Sequence, residues 1–130
     1  MTSNPRLLFR AAGLFNLAVA LTFFFAAPQL ATLLALQPAP APTLYIRILA
    51  ACIALFGWGY WIIGDDPVRF RPFIIQGMVG KLSVVTLIMM AVAMGQASRG
   101  FAALALGDMI FGFLFAIHLA RTRAWRGLRM

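Results

Sequence analysis

The sequence is poor in the residues from which most catalytic and metal sites are built. Its 130 residues include one histidine, one cysteine and three acidic residues. A single His118 excludes a haem held by two histidines of the same chain, and the lone Cys52 excludes a thiolate cluster and an intrachain disulfide. Asp65 and Asp66 are adjacent in a predicted loop, which leaves no pair of carboxylates in an apolar segment. We therefore expect no metal and no cofactor, and an enzyme is the less favoured class.

Charged residues are also scarce, at 11% of the chain, whereas 63% of the residues are hydrophobic. A soluble domain of this size could not bury so many apolar side chains in its core. The composition indicates an integral membrane protein, and four apolar segments are long enough to cross a hydrocarbon core of about 30 Å as helices. We predict an all-α four-helix bundle that forms a single transmembrane domain over residues 1–130, with spans at residues 7–27, 45–63, 73–95 and 101–120.

The first apolar segment has an alternative interpretation as a secretory signal. Arg6 and Arg10 precede it, and small residues end it near Pro28. The segment is longer than the 7 to 15 apolar residues, roughly, of a signal peptide. We therefore expect an uncleaved first span.

The arginines are distributed unevenly between the two sides of the predicted bundle. The first loop carries no charge and the third carries Arg99 alone. Eight further arginines flank the first span, lie in the second loop or follow the fourth span: Arg6, Arg10, Arg69, Arg71, Arg121, Arg123, Arg126 and Arg129. Cytoplasmic loops carry such an excess. We predict an up-down-up-down topology with both termini in the cytoplasm. The net charge of +8 then reflects topology rather than nucleic-acid binding, and the C-terminal arginines can contact anionic lipids.

Aromatic residues near the span ends agree with this orientation. Tyr45 is expected at the outer edge, and Trp58, Tyr60, Trp61 and Trp125 towards the inner edge, because such side chains favour the headgroup region.

The loops predict how the spans are packed. The second and third loops are short, so the second, third and fourth helices should be successive antiparallel neighbours. The first loop is longer, and its sequence PQLATLLALQPAPAPT predicts a short interfacial helix followed by an extended Pro-Ala segment.

Four polar residues interrupt the apolar spans: Asn16, Arg47, Lys81 and Asp108. An ionisable group in hydrocarbon costs a few kcal/mol and marks a candidate functional site. Counting residues places Asn16 about 14 Å and Lys81 about 12 Å from the inner membrane edge, and Asp108 about 10 Å from the outer edge, so the three form a middle layer. Asp108 has three alternative neighbours: Lys81 on the adjacent helix, Arg47 towards the outer edge, or a gap filled by water or substrate. Geometry argues against Lys81 as this neighbour, because the side chains of Lys81 and Asp108 lean apart along antiparallel helices.

Small residues accompany the polar residues on one face of each helix. Gly13 lies near Asn16, Gly77 one turn before Lys81, and Gly112 one turn after Asp108. Alanines extend these faces on three of the helices: Ala12, Ala20 and Ala27 on the first, Ala50, Ala51 and Ala54 beside Arg47 on the second, and Ala105 and Ala116 on the fourth. Small residues allow membrane helices to approach closely. We predict that these faces point into the bundle. The polar layer then has two interpretations: an ion pair that fixes helix register, or a proton relay or headgroup site.

In layout the chain resembles small bacterial four-helix inner-membrane proteins, among them the DoxX-like family. The resemblance covers the whole length and rests on size, topology and the positions of Asn16, Arg47, Lys81 and Asp108. It implies a multi-pass protein of the inner membrane with a membrane-bound partner enzyme, because DoxX-like proteins are associated with quinone-linked redox complexes. We expect a binding or accessory component, as a homo-oligomer or with a protein partner. The alternative is a small transporter or channel subunit that uses Lys81 and Asp108.

The arginine distribution makes a direct prediction about topology. A fluorescent protein that matures in the cytoplasm should be fluorescent when fused after Met130, and a reporter active only in the periplasm should be inactive there. The opposite pattern would reverse the predicted orientation.

Overall fold

The computed structural model describes the backbone of residues 4–33 and 42–127, and the side chains of residues 4–32 and 43–122. These residues form helices and turns, with no strand among them. The five helices are α1 (Pro5–Phe25), α2 (Ala27–Leu33), α3 (Pro42–Ile63), α4 (Arg71–Ala93) and α5 (Arg99–Gly127).

Four of the helices, α1, α3, α4 and α5, are long and apolar enough to cross a membrane. They coincide with the four predicted spans, and α1 and α4 each begin and end two residues earlier than predicted. The all-helical, four-span prediction is therefore confirmed. The short helix predicted in the first loop is present as α2, and the Pro-Ala segment after it lies largely outside the described residues.

The helix boundaries have local causes in the sequence. Asn4 precedes α1, and its side chain accepts a hydrogen bond from the backbone N–H of Arg6 at 3.0 Å. Pro5 begins that helix, and Pro72 lies in the first turn of α4, where a missing N–H has no consequence. The chain leaves α4 through Gly95, whose φ of 71° is readily adopted by glycine.

The closest helix packing is found within two pairs, α1 with α3 and α4 with α5. Along the first pair, Gly13 lies against Gly57, and residues further along α1 meet residues earlier in α3. A Cβ atom on Gly13 would lie only 2.8 Å from the carbonyl oxygen of Gly57. Glycine at both positions therefore permits the two backbones to touch.

The packing of α3 against α4 differs from the prediction. These helices are joined by a short loop, as expected, but they contact each other much less than either contacts its closest partner. The ring of Tyr60 lies between them against Gly77, where a Cβ atom would meet the ring at 2.7 Å. A bulky side chain at this point holds the helices apart, and loop length alone did not reveal it.

Two clusters of buried apolar residues form the core. One joins all four long helices and contains Phe9, Ala12, Tyr60, Ile63, Ile74, Phe115 and Leu119. The other joins α1, α2 and α3 and contains Phe23, Ala27, Leu30, Ile46 and Ala50. The predicted contact face of α1 is confirmed, because Ala12, Gly13, Asn16, Ala20 and Ala27 are all buried. Tyr60 of the first cluster, and Phe111 packed against that cluster, lie near the ammonium group of Lys81.

On α3 the predicted contact face and the aromatic belt need correction. Arg47 and Ala51 are exposed, whereas Ile46, Ala50 and Gly57 are buried. This span is apolar on every side, so its sequence does not mark the face that packs. Tyr60 is 4% exposed and belongs to the core rather than to a belt. Tyr45 and Trp58 are exposed, and Trp125 lies outside the described side chains.

The glycine contacts predict graded effects of adding one methyl group. Gly13→Ala should lower the free energy of unfolding by about 1–3 kcal/mol, because the new Cβ would meet backbone atoms of Gly57 that cannot move independently. Gly112→Ala should cost less, since its nearest neighbour is the end of the Leu82 side chain at 2.9 Å. Denaturant titration of the protein in detergent micelles measures both.

The matched control is Gly80→Ala, because a Cβ atom at Gly80 would meet nothing within 4 Å. Its stability should stay within about 0.5 kcal/mol of the wild type. Equal losses for Gly13→Ala and Gly80→Ala would contradict the close backbone contact between α1 and α3.

Candidate functional site

The polar residues of three helices meet at the side chain of Lys81. Lys81 lies on α4 and its side chain is 5% exposed. Its Nζ donates hydrogen bonds to Oδ1 of Asn16 on α1, at 3.0 Å, and to Oδ1 of Asp108 on α5, at 2.5 Å. We call Asn16, Lys81 and Asp108 the Lys81 centre.

Asn16 connects this centre to the fourth long helix. It is buried, and its Nδ2 donates to the backbone carbonyl of Ile53 on α3 at 3.4 Å. The side-chain amide of Asn16 therefore accepts a hydrogen bond from Lys81 of α4 and donates one to Ile53 of α3. One hydrogen-bonded chain of groups links α1, α3, α4 and α5, so the centre fixes the relative positions of all four helices.

Three aromatic rings surround the ammonium group. Nζ of Lys81 lies 5.2 Å from the ring centroid of Tyr60, 5.7 Å from that of Phe15 and 5.9 Å from that of Phe111. These distances lie within the range for attraction between a cation and an aromatic ring, which strengthens when water is excluded. The rings add to the stabilisation that the two hydrogen-bond acceptors give to the charge.

Glycines create the space for these rings and for the lysine stem. The ring of Tyr60 packs on Gly77, and the ring of Phe15 packs on Gly107, next to Asp108. A Cβ atom on Gly112 would lie 3.6 Å from the Cβ of Lys81. Gly13, Gly77 and Gly112, the three glycines singled out in the sequence, all lie at helix contacts near the centre.

The structure distinguishes between the alternative neighbours of Asp108. Its carboxylate is in direct contact with Lys81, because the long lysine side chain spans the offset between the two backbones. Arg47 is elsewhere: its Nε donates to the carbonyl of Phe24 at 3.1 Å, and its guanidinium lies over the ring of Phe24. Of the four predicted polar residues, Asn16, Lys81 and Asp108 therefore come together and Arg47 does not.

The two charges of the centre differ in exposure. Lys81 is almost fully enclosed, whereas 30% of the Asp108 side chain is exposed. Within the described residues, Asp108 accepts through Oδ1, the oxygen that contacts Lys81. The Asp108 side chain is thus partly accessible from outside the bundle.

A second charged cluster, which the sequence reading did not anticipate, joins the start of α1 to the loop after α3. Oδ1 of Asp65 accepts from Arg10 at 2.5 Å and from Arg6 at 3.2 Å, and the guanidinium of Arg10 lies 4.1 Å from the ring centroid of Trp61. The hydrogen bonds from Arg10 and Arg6 lower the pKa of the Asp65 carboxyl group. The cluster is largely exposed, so it positions the loop more than it stabilises the fold. No spacing rule could have found it, because the partners are distant in sequence.

Gly57 lies at the contact between α1 and α3 and was not predicted from the sequence. It follows Ala50 by seven residues and therefore lies on the same face of α3. That spacing was available from the sequence, but Ala51 and Ala54 suggested a face rotated away from it.

The Lys81 centre contains one cation, one anion and one amide in direct contact. The opposite charges of Lys81 and Asp108 nearly cancel, and for this reason the ion pair is tolerated among apolar helices. A proton added to Asp108 would leave Lys81 as an uncompensated buried charge. Among the described residues, no group of three or more His, Cys, Asp or Glu side chains is placed to hold a metal ion.

Comparisons of this chain with protein-family models, with curated proteins and with solved structures found no match. These comparisons therefore show no family for the chain, and function has to be argued from the site.

The ion pair predicts strong coupling between its two members. Asp108→Leu should cost about 3–5 kcal/mol of stability, because it leaves the buried charge of Lys81 without its partner. Lys81→Met should cost less, because the Asp108 side chain that it leaves unpaired is 30% exposed. The double variant should recover part of the combined loss. Denaturant titration in detergent micelles measures the free energy of unfolding of the wild type, the two single variants and the double variant.

Arg47→Met combined with Asp108→Leu is the matched control, since Arg47 contacts Phe24 rather than Asp108. The stability losses of Arg47→Met and Asp108→Leu should add in this double variant. Additive losses for the Lys81 and Asp108 variants as well would contradict the direct pair.

Proposed function

We propose that this chain is an integral membrane accessory component whose face around Asp108 binds a transmembrane helix of another membrane protein. The observation that carries the proposal is the unequal exposure of the ion pair, with Lys81 enclosed and 30% of the Asp108 side chain exposed. A carboxylate turned towards hydrocarbon is costly. A partner helix that offers a hydrogen-bond donor would remove this cost.

The surroundings of Asp108 fit a helix contact. Leu104 precedes it by one turn on α5 and is exposed. On the inner side of the carboxylate, Lys81 already satisfies the charge. A donor on a partner helix would reach the Asp108 side chain where it is exposed, and the apolar residues beside it suit close packing.

The topology proposed with this function is up-down-up-down, with both termini in the cytoplasm of a cell with an inner membrane. The reversed order of contacts between α1 and α3 supports it. So does the exclusion of arginine from the first loop. The arginines that follow the fourth span would contact anionic lipid headgroups at the cytoplasmic face. The proposal includes no cofactor, no catalytic step and no nucleic acid.

A second candidate is a subunit of a transporter or channel. It is favoured by the direct contact between Lys81 and Asp108, because protonation of the exposed carboxylate would break the charge balance and could open a path. Against it, Asn16 and Lys81 are the only polar side chains buried within the described part of the chain. No series of buried polar groups leads away from the centre in that part.

Site-specific crosslinking tests the proposed partner. A photoreactive amino acid in place of Leu104 should crosslink the full-length protein to another membrane protein in native membranes, because position 104 lies beside the exposed carboxylate. The same amino acid in place of Leu87, an exposed residue of α4, is the control and should give at most about a tenth of the product. Mass spectrometry of purified adducts identifies the partner.

An adduct of twice the mass of this chain would make the partner a second copy and would assign a homo-oligomer. Equal products at positions 104 and 87 would contradict a specific contact at Asp108. Ion flux through liposomes that contain only this protein, if it disappears in Asp108→Asn, would favour the transporter.

A further inference from the structure

A crevice separates α3 from α4 on the side of the bundle away from their closest partners. Its volume is about 420 Å³, within the range of about 300–1,000 Å³ for small-molecule sites. Apolar side chains form most of its wall, and the lining includes Leu55, Phe56, Gly59, Phe70, Phe73 and Gln76.

One residue that lines the crevice, Gly59, has no side chain to fill it. A Cβ atom on Gly59 would meet nothing within 4 Å, although the residue is partly buried. The neighbouring Tyr60 holds α3 and α4 apart. The space is therefore not closed by the protein's own side chains.

The walls indicate an apolar occupant from the bilayer. Leu55, Phe56 and Phe73 line the crevice and are also exposed at the surface of the bundle. In a protein with four membrane-crossing helices, lipid acyl chains surround such a surface. Two turns of a helix about 10 Å wide would occupy roughly 850 Å³, which is more than the volume of the crevice. The crevice therefore suits a lipid acyl chain rather than a helix.

Arg69 lies next to a lining residue of the crevice, and the carboxylate of Asp66 accepts a hydrogen bond from the backbone N–H of Arg69 at 3.0 Å. Phe70 lines the crevice, and the guanidinium of Arg69 lies 5.6 Å from the centroid of the Phe70 ring. The side chain of Arg69 is exposed and forms no ion pair with the acids of the described segments. Gln76, within the first two turns of α4, adds an amide to the lining.

We propose that the crevice between α3 and α4 binds one anionic phospholipid, with an acyl chain beside Gly59 and the phosphate at Arg69. A guanidinium forms strong, directional hydrogen bonds with phosphate oxygens. Basic pockets between transmembrane helices bind anionic headgroups in this way. The site is separate from the Lys81 centre and does not depend on the function proposed for it.

Native mass spectrometry of the detergent-purified protein with added phosphatidylglycerol or phosphatidylcholine tests this proposal. The wild type should bind one phosphatidylglycerol about tenfold more tightly than phosphatidylcholine. Gly59→Leu should reduce phosphatidylglycerol binding about tenfold, because the leucine occupies the space of the acyl chain. Arg69→Gln should remove the preference for the anionic lipid but retain weak binding of both.

Gly80→Leu is the matched control, since a Cβ atom at Gly80 also meets nothing within 4 Å but the residue does not line the crevice. It should bind lipid as the wild type does. Thermal melting in lipid-free detergent should be the same for both glycine variants, which separates lost binding from lost folding.

Equal lipid binding by the wild type and Gly59→Leu would overturn the proposal. Equal affinity of the wild type for the two lipids would also overturn it, because the phosphate contact would be absent. A dimer that is present in the wild type and lost in Gly59→Leu, without a change in lipid binding, would assign the crevice to a second copy instead.

Discussion

The desolvation of one lysine is the constraint on which the rest of this structure depends. Lys81 lies among apolar helices, and its charge is tolerated there only because a carboxylate, an amide oxygen and three aromatic rings surround it. Each of these groups needs room near the helix axes. Glycines at the contacts supply that room, so the ion pair and the close packing require each other. A larger residue at Gly77 or Gly107 would displace a ring and weaken the environment of the charge.

The same arrangement leaves two parts of the bundle incomplete. Asp108 neutralises Lys81, but the Asp108 side chain is itself partly exposed. Tyr60 completes the aromatic surroundings of Lys81 but also separates α3 from α4, which opens a crevice beside Gly59. These two surfaces are distinct in chemistry. The first offers a hydrogen-bond acceptor within an apolar face, and the second offers an apolar slot with an arginine next to one of its lining residues.

Local and periodic features of the sequence were sufficient for much of the fold. The four spans follow from long apolar segments, and each coincides with a helix of the structure, although α1 and α4 begin and end two residues earlier than predicted. Asn16, Lys81 and Asp108 were predicted to share a layer by counting residues along the helices, and they are in contact. Counting could not choose a partner for Asp108, because that choice depends on side-chain reach and helix rotation. Nor could it place Tyr60 in the core, since an aromatic residue near a span end also suits the headgroup region.

The sequence by itself determined that this protein is helical, that it has four segments able to cross a membrane and that three polar residues lie at similar depth within them. Those properties depend on hydropathy and on the fixed rise of a helix, which a single segment already contains. Tertiary structure alone decided that α1 packs on α3 and α4 on α5, that Asp65 joins Arg6 and Arg10, and that Arg47 stays outside the centre. An apolar helix has no intrinsic preferred face. Its rotation is set by the shapes of glycines and aromatic rings on its neighbours, which no single segment contains.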